Sequence, residues 1–187
     1  MPFLSIVTRC YKRPKMLRVN ILSVATQTSR DWEQIFITDE EGRGILWANQ
    51  SLHHNRHRVR GRYVLILDDD NCLAYNGLVE DLKKLMPISK RGPDIIMVKE
   101  DQILRTLPTN WEKYPTFGHI DTGCFIVRNE LWHRHIELFR QPSGGDYAFI
   151  SALFAMRDSN GWLVSWFDKV AVRVQKVSRG KPEESGE

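Results

Sequence analysis

Three consecutive carboxylates, Asp68–Asp70, directly follow the apolar run Tyr63–Leu67. The run has the length and β-forming composition of a buried strand. Ligands of open α/β sheets collect outside the carboxyl ends of such strands, so this acidic triplet is predicted to lie where a ligand binds. Adjacent carboxylates repel one another, and a hard divalent cation binds their oxygens together with phosphate oxygens. The pattern predicts a metal-bridged diphosphate; the alternative is an acidic turn that caps the next helix.

A second predicted strand also ends on acidic residues. The segment 34–38 has strand composition, and Asp39, Glu40 and Glu41 follow it directly. The carboxyl ends of parallel strands meet at one edge of a sheet. The acidic triplet and Asp39 are therefore predicted to lie on one rim.

The predicted elements alternate through the first half of the chain. They are a strand at 3–8, a helix from Pro14, a strand at 34–38, a helix from about 45, a strand at 63–67 and a helix at 77–86. In the first helix, the residues predicted to face inward are Leu17, Ile21, Leu22, Val24 and Ala25. The alternation predicts an α/β fold with a single doubly wound, mostly parallel sheet flanked by helices.

The second half of the chain is less regular. The predicted elements are strands at 94–98 and 124–127, a long loop at 107–118, helices at 130–139 and after Gly145, and two last strands at 162–166 and 170–174. Loops of this length are often functional. We expect residues 1–175 to form one domain, with halves at about 1–100 and 101–175, and residues 176–187 to form a polar, flexible tail.

Composition restricts the class of protein. A chain of 187 residues is long enough for one buried core, and its formal charge of +4 indicates affinity for anionic ligands or surfaces. Cys10, Cys72 and Cys124 are odd in number and lack C-x-x-C spacing, which argues against disulfides and structural zinc. Charged residues interrupt the apolar start before signal-peptide or transmembrane length. We expect a cytoplasmic protein without a transmembrane segment, with peripheral membrane attachment left open.

Several stretches resemble family 2 glycosyltransferases of the GT-A fold. Residues 5–14, SIVTRCYKRP, are similar to the family's opening strand and T-x-x-Y-N-R-P loop, with Lys12 in place of asparagine. Residues 21–39 resemble its SVLAQTYPDWELIVVDD segment, and residues 61–70 its GEYIAFLDxDD segment. In the second half, residues 121–125 are similar to the acceptor strand and residues 145–147 to the E-D motif.

The resemblance implies a nucleotide-sugar enzyme with a Rossmann-like nucleotide half and an acceptor half. The implied donor is a nucleoside-diphosphate sugar, with UDP as the expected nucleotide, and the implied acceptor is a hydroxyl of a saccharide, a lipid-linked molecule or another compound. The residues it assigns to the nucleotide are Thr8, Arg9, Tyr11, Asp39, Asn49, Asp68 and Asp69. Taken singly, Tyr11 is also explained as a loop aromatic and Asp39 as a turn former.

The resemblance also implies the parts of a reaction centre. A Mn²⁺ or Mg²⁺ ion would be held by Asp70, with Asp68 as a second ligand, and Asp146 would be the general base of a single displacement that inverts the anomeric carbon. The alternative for Asp146 is a helix cap. Gln175 stands where the family often has a histidine, which is a better metal ligand. The chain has no Q-x-x-R-W motif of the processive members, so single-sugar addition is expected.

Acceptor contacts are the least specified part of the pattern. The resemblance places Thr122 and Gly123 on the acceptor side. Trp111 is a candidate for stacking on an acceptor, although large aromatics are more often core residues.

Two other functions agree with parts of the sequence. A nucleotidyltransferase would use a similar sheet and metal for attack at phosphorus. The basic segment His53–Arg62 contains the Arg56–Arg62 patch, which suits a non-catalytic nucleic-acid-binding module, or an enzyme that glycosylates a nucleic acid acceptor. His53 and His57 have the spacing of a zinc pair, but neighbouring arginines would repel the ion, which favours a solvated face.

Overall fold

The computed structural model describes residues 1–86 and 91–175. The strands of this part are β1 (Leu4–Cys10), β2 (Trp32–Thr38), β3 (Tyr63–Ile66), β4 (Asn71–Leu73), β5 (Ile95–Asp101), β6 (Thr106–Leu107), β7 (Phe125–Arg128) and β8 (Val164–Val174). Its α-helices are α1 (Pro14–Ala25), α2 (Gly44–His54), α3 (Leu78–Lys83), α4 (Asn129–His135) and α5 (Gly145–Asn160). The predicted tail, 176–187, lies outside the described residues.

One sheet connects these strands in the order β2-β1-β3-β7-β5-β8-β4, with β6 paired to β5. The pairs β1–β2, β1–β3 and β5–β8 are parallel, and β7 is antiparallel to both of its neighbours. As a result β1, β2, β3, β5 and β8 run in one direction, and β4, β6 and β7 run in the other. The predicted α/β architecture with a mostly parallel sheet is confirmed.

The sheet separates two hydrophobic clusters. Side chains alternate between the faces of a strand, so Ile6 of β1 packs on the side of α1 and α3, and Val7 packs on the side of α2, α4 and α5. The predicted strand at 63–67 is buried throughout, because both of its faces are covered. This burial on two sides explains its continuous apolar sequence.

The inward face of α1 differs from the prediction. Ile21 and Leu22 are exposed, and Met16, Asn20 and Val24 are the buried residues. Asn20 faces the turn that follows β3 and donates through Nδ2 to the carbonyls of Asp68 at 3.0 Å and Asn71 at 2.9 Å. A leucine there would remove one donor from each of these carbonyls, so the helix presents a polar residue to the turn.

The carboxyl-terminal part of the sheet also departs from the prediction. The two strands expected at 162–166 and 170–174 are one strand, β8, whose pairing with β5 shifts register between Met97 and Lys99 and again before Glu100. Such bulges break the period-two pattern, which is why the sequence indicates two strands. The short strand β4, which the sequence analysis missed, pairs antiparallel with β8 and ends the sheet.

Among the described residues, no helix combines the length and the apolarity that a membrane crossing requires.

Replacement of Asn20 by alanine tests how the turn after β3 is held. We expect Asn20→Ala to lower the free energy of unfolding by about 3 kcal/mol, because two buried carbonyls each lose one donor and the Gln34 amide loses an acceptor. Asn160→Ala is the control, since Asn160 lies exposed at the end of α5 and should change stability by no more than about 0.5 kcal/mol. Urea denaturation measures both values, and equal losses would contradict the assignment.

Candidate active site

A cavity of about 420 Å³ lies at the carboxyl ends of β1, β2 and β3. The turn after β3 brings the acidic triplet to this edge, and the first residues of α2 form the opposite wall. The lining residues are Arg9, Cys10, Tyr11, Arg13, Ile37, Asp39, Gly42, Gly44, Ile45, Trp47, Ala48, Asp68 and Asp70. Asp39, Asp68 and Asp70 thus share one rim, which we call the site rim.

Arg9 joins the acidic triplet to the second half of the chain. Its Nε and Nη2 donate to the two carboxylate oxygens of Asp68, each at 2.7 Å. Its Nη1 donates to Oδ1 of Asn49 on α2 at 2.8 Å. Nδ2 of Asn49 donates in turn to the carbonyl of Gln141 at 2.9 Å, just before α5. A planar guanidinium can make these three bonds at once, whereas a lysine cannot.

Arg13 neutralises the other two members of the acidic triplet. Its Nη2 lies 2.8 Å from Asp69, and its Nη1 donates to Asp70. Asp69 is fully buried and also accepts the backbone N–H of Tyr11 at 2.8 Å. Burial raises the pKa of Asp69 to about 7, and the Tyr11 amide and Arg13 act against that rise. Repulsion within the triplet therefore does not by itself require a metal ion.

The predicted metal ligands, Asp68 and Asp70, both border the cavity. Magnesium sites commonly combine one or two carboxylates with substrate phosphate oxygens and water. No group of three or more His, Cys, Asp or Glu side chains in residues 1–86 and 91–175 is arranged to hold an ion. The two carboxylates therefore fit an ion that is also bound by the oxygens of a diphosphate. Arg9 and Arg13 compete with such an ion for the carboxylate oxygens.

Gln175 is used structurally. Its side-chain Nε2 donates to the carbonyl of Met16 at 3.0 Å, and its backbone N–H donates to the carbonyl of Asp70 at 2.8 Å. The residue fastens the end of β8 to the acidic turn and to α1.

Asp39 shapes the loop at the far side of the cavity. Its carboxylate accepts the backbone N–H groups of Gly42 at 2.9 Å and Arg43 at 2.7 Å. Burial acts to raise the pKa of Asp39, but these amides and the Arg43 side chain outweigh it and hold the pKa below its usual range. A Cβ on Gly42 would lie 2.4 Å from the hydroxyl oxygen of Tyr11, so the glycine allows the tyrosine to lie against this loop.

Aromatic rings border the same end of the cavity. Tyr11 and Trp47 are both lining residues, and the Arg43 guanidinium lies 3.8 Å from the centre of the Trp47 ring. Trp47 was not among the predicted site residues. The sequence indicates the helix α2, but it does not indicate that this helix lies against the cavity. Thr8, a predicted nucleotide contact, is fully buried, accepts a bond from Gln34 at 2.9 Å and is absent from the cavity lining.

Asp146 lies in the first turn of α5, and Gly144, with φ +64°, is the residue that caps the helix. The side chain is half-buried. Burial and the charge of Asp121 raise the pKa of Asp146 to about 6, while the amides of the first turn and Arg9 act to lower it. On Arg9, burial disfavours the positive charge, but the charges of Asp68, Asp121 and Asp146 outweigh it and raise the pKa of the guanidinium. Acidic side chains from both halves of the chain therefore stabilise the positive charge of Arg9.

An acidic pair that the sequence analysis missed is formed by Glu100 and Asp121. Glu100, at the end of β5, is fully buried, and the Gln102 amide donates to Glu100 at 2.8 Å and to Asp121 at 3.2 Å. Burial and the charge of Asp121 raise the pKa of Glu100, which favours its neutral form. The sequence does contain a signal for Glu100, because this residue lies just after the predicted strand at 94–98, as Asp39 lies just after the predicted strand at 34–38.

The predicted acceptor residues are packed into the fold. Thr122 and Gly123 are buried, and the Gly123 N–H donates to Glu100 at 3.1 Å. A Cβ on Gly123 would lie 2.3 Å from a Glu100 oxygen, so the glycine is required there. Trp111 is partly buried, with its ring centre 5.0 Å from that of Trp166 and 4.9 Å from the Lys99 ammonium.

The basic segment lies away from the site rim, before the start of β3. Several of its arginines bind the chain itself: Arg56 donates to the His53 carbonyl, Arg58 to the Phe36 carbonyl, and Arg60 to Glu33. The segment therefore stabilises the edge opposite the cavity.

The described residues form a GT-A fold. They superpose on S. aureus TarS 1–349 in complex with UDP-GlcNAc with a TM-score of 0.68 at 15% identity, covering 100% of this chain and 62% of that one. TarS 1–349 in complex with UDP gives 0.63 at 16% identity, covering 95% and 61%, and another TarS structure gives 0.64 at 15% identity, covering 94% and 37%. The chain thus spans less than two thirds of these proteins. No protein-family model and no curated protein matches the sequence.

The bonds of Arg9 predict how the cavity responds to a conservative change. Arg9→Lys keeps the positive charge but loses the two-bond contact with Asp68 and the bond to Asn49. We therefore expect the free energy of unfolding to fall by about 2 kcal/mol. Arg157→Lys is matched to it, because Arg157 pairs with Asp158 on the surface, and its effect should stay below about 0.5 kcal/mol. Chemical denaturation at neutral pH compares the two; equal effects would show that the buried network contributes nothing.

Proposed function

We propose that this protein is a glycosyltransferase that moves a single sugar from a UDP-linked donor to an acceptor hydroxyl. The main support for this proposal is the cavity of the GT-A fold, where Asp39, Asp68 and Asp70 lie on one rim with two arginines and two aromatic rings. The likeness to TarS bound to UDP-GlcNAc supports the same choice of donor.

The donor would lie across this cavity. The rings of Tyr11 and Trp47 suit the planar base, because aromatic faces stack on planar groups. Asp39 lies at the same end and suits a hydrogen bond from the base or the ribose, provided that part of the carboxylate remains available beside the loop amides. The diphosphate would lie towards Asp68, Asp70, Arg9 and Arg13, since guanidinium groups bind phosphate oxygens strongly.

A Mn²⁺ or Mg²⁺ ion is part of the proposal, with Asp70 and Asp68 as its ligands. Such an ion supplies positive charge to a diphosphate leaving group. Arg9 and Arg13 already hold positive charge beside the same carboxylates. They keep the acidic triplet paired when no donor is bound, and they are close enough to take up phosphate oxygens when it binds.

Asp146 is proposed as the general base. Its carboxylate takes the proton of the acceptor hydroxyl as the hydroxyl oxygen bonds to the anomeric carbon and the bond from that carbon to the UDP oxygen breaks. UDP leaves with the bonding electrons. A single displacement of this kind inverts the anomeric configuration. The raised pKa of Asp146 suits a group that must accept a proton near neutral pH.

Donor use with and without metal tests the enzyme class. Purified protein with Mn²⁺ or Mg²⁺ and a panel of UDP-sugars should release UDP, and EDTA should abolish the release until metal is added back. Asp70→Asn should raise the metal concentration for half-maximal rate by more than about tenfold. Asp158→Asn, an exposed control on α5, should leave it unchanged.

Two results would count against this assignment. Intact donors under every condition, together with no UDP-induced thermal shift, would remove the glycosyltransferase. Release of diphosphate from a nucleoside triphosphate would point to the nucleotidyltransferase instead.

The base is tested separately by substitution and by pH. Asp146→Asn should lower kcat by about 10²- to 10⁴-fold while UDP affinity, measured by calorimetry, stays the same. A base acts only when deprotonated, so kcat/KM of the unaltered protein should fall as the pH drops below about 6. A variant that keeps its rate, or a profile that is flat through this range, would assign the base to another group.

A further inference from the structure

An exposed aromatic ring stands at the start of α5. Phe117 is 64% exposed, although it has no polar atom on its side chain. Its ring meets the Tyr147 ring edge-on, with centroids 5.6 Å apart and planes at 81°. Tyr147 directly follows Asp146 in the chain. The phenylalanine therefore lies beside the helix turn that holds the proposed base.

The contact with the helix is close. A Cβ placed on Gly144 would lie 2.8 Å from Cε2 of Phe117, so the ring occupies the space that any larger residue at this position would take. Gly144 is also the residue that caps α5. The position of the ring and the start of the helix are thus fixed by the same glycine.

The loop that carries Phe117 is anchored on both sides. Nδ2 of Asn110 donates to the Tyr114 carbonyl at 2.9 Å and to the Thr116 hydroxyl at 2.7 Å. The Tyr114 hydroxyl donates to the carbonyl of Ser151 on α5 at 2.8 Å. The ring is therefore held against the helix by its loop, and its exposure is a feature of the folded chain.

We propose that Phe117 is the acceptor platform, on which a pyranose acceptor lays its apolar C–H face while one hydroxyl reaches Asp146. The negative face of an aromatic ring attracts C–H groups, and binding sites use such rings to fix orientation. Trp111, a stacking candidate in the sequence analysis, is partly buried with its ring centre 5.0 Å from that of Trp166. This inference rests on the proposed function, since it names the acceptor class of that same site.

Substitution of Phe117 measures its contribution to acceptor use. The probes are methyl pyranosides of glucose, galactose and N-acetylglucosamine, with glycerol as a hydroxyl acceptor that has no ring. Phe117→Ala should lower kcat/KM for the best pyranoside about tenfold through KM, while Phe117→Trp should retain it. The KM for the UDP-sugar, the slow release of UDP to water and the use of glycerol should not change.

A matched control removes a different exposed apolar side chain. Leu163 is 53% exposed, and its carbonyl accepts the N–H groups of Asp94 and Ile95 at the start of β5, on the edge opposite the site rim. Leu163→Ala should leave the pyranoside KM unchanged. An equal effect of the two variants would show a general loss of stability and would overturn the platform.

The two glycines that flank α5 distinguish the effect of displacing the Phe117 ring from the effect of backbone strain. Gly144 and Gly161 both have φ +64° and end the same helix, but only Gly144 is in contact with Phe117, whereas nothing lies within 4 Å of a Cβ on Gly161. Both alanine variants carry the same strain, so both should lower the melting temperature. Only Gly144→Ala should also raise the pyranoside KM.

The outcomes distinguish this inference from the function on which it rests. Protein that never releases UDP removes the proposed function and this inference with it. Protein that releases UDP to water but uses none of the pyranosides, or that keeps its pyranoside KM after Phe117→Ala, overturns the platform and leaves the transferase standing. Equal losses for pyranosides and glycerol would likewise exclude stacking.

Discussion

The fork between Arg9 and Asp68 is the contact on which the arrangement of the cavity depends. Three acidic residues in sequence are unfavourable at the end of a buried strand unless positive charge lies beside them. Arg9 and Arg13 provide that charge. Because Arg9 also binds Asn49, and Asn49 binds the segment before α5, the group that pairs with Asp68 also ties the acidic triplet to the half of the chain that holds Asp146. One side chain therefore contributes both to charge balance and to the link between the two halves, and Arg13 balances the charge of Asp69 and Asp70.

Polar backbone contacts complete this arrangement. Asn20 and Gln175 come from distant parts of the sequence, and both donate to carbonyls of the turn that carries the acidic triplet or of its neighbours. Each is an amide because the backbone it meets offers acceptors, and buried carbonyls need donors. The same requirement explains why α1 buries an asparagine while leucine and isoleucine remain exposed. A carboxylate cluster at a sheet edge is thus held by neutral amides from behind and by guanidinium groups at its front.

The part of the chain around Asp121 and Asp146 follows a different principle. Near Thr122 and Gly123 the chain is closely packed around Glu100, so these residues support the sheet and leave no open surface of their own. Phe117, which is 64% exposed, reaches the start of α5 because Gly144 has no side chain. Acidic residues also lie here, and burial together with the charge of Asp121 raises the pKa of Asp146. The proposed acceptor platform therefore lies beside the helix turn that carries the proposed base.

The sequence by itself determined the elements of the first half apart from β4, the acidic ends of β2 and β3, and the α/β class, because alternating apolar runs and strand-end acids are local patterns. The resemblance of residues 145–147 and 5–14 to family motifs indicated Asp146 and the loop before α1, but not the partners of these residues. Only the tertiary structure decided that Arg9 and Arg13 pair with the acidic triplet, that β8 is one bulged strand, and that Trp111 is packed while Phe117 is exposed. The reason is physical: pairing and burial depend on which distant segments of the chain meet in the fold. Neither the hydrophobic period nor the residue type of a segment specifies its distant partner.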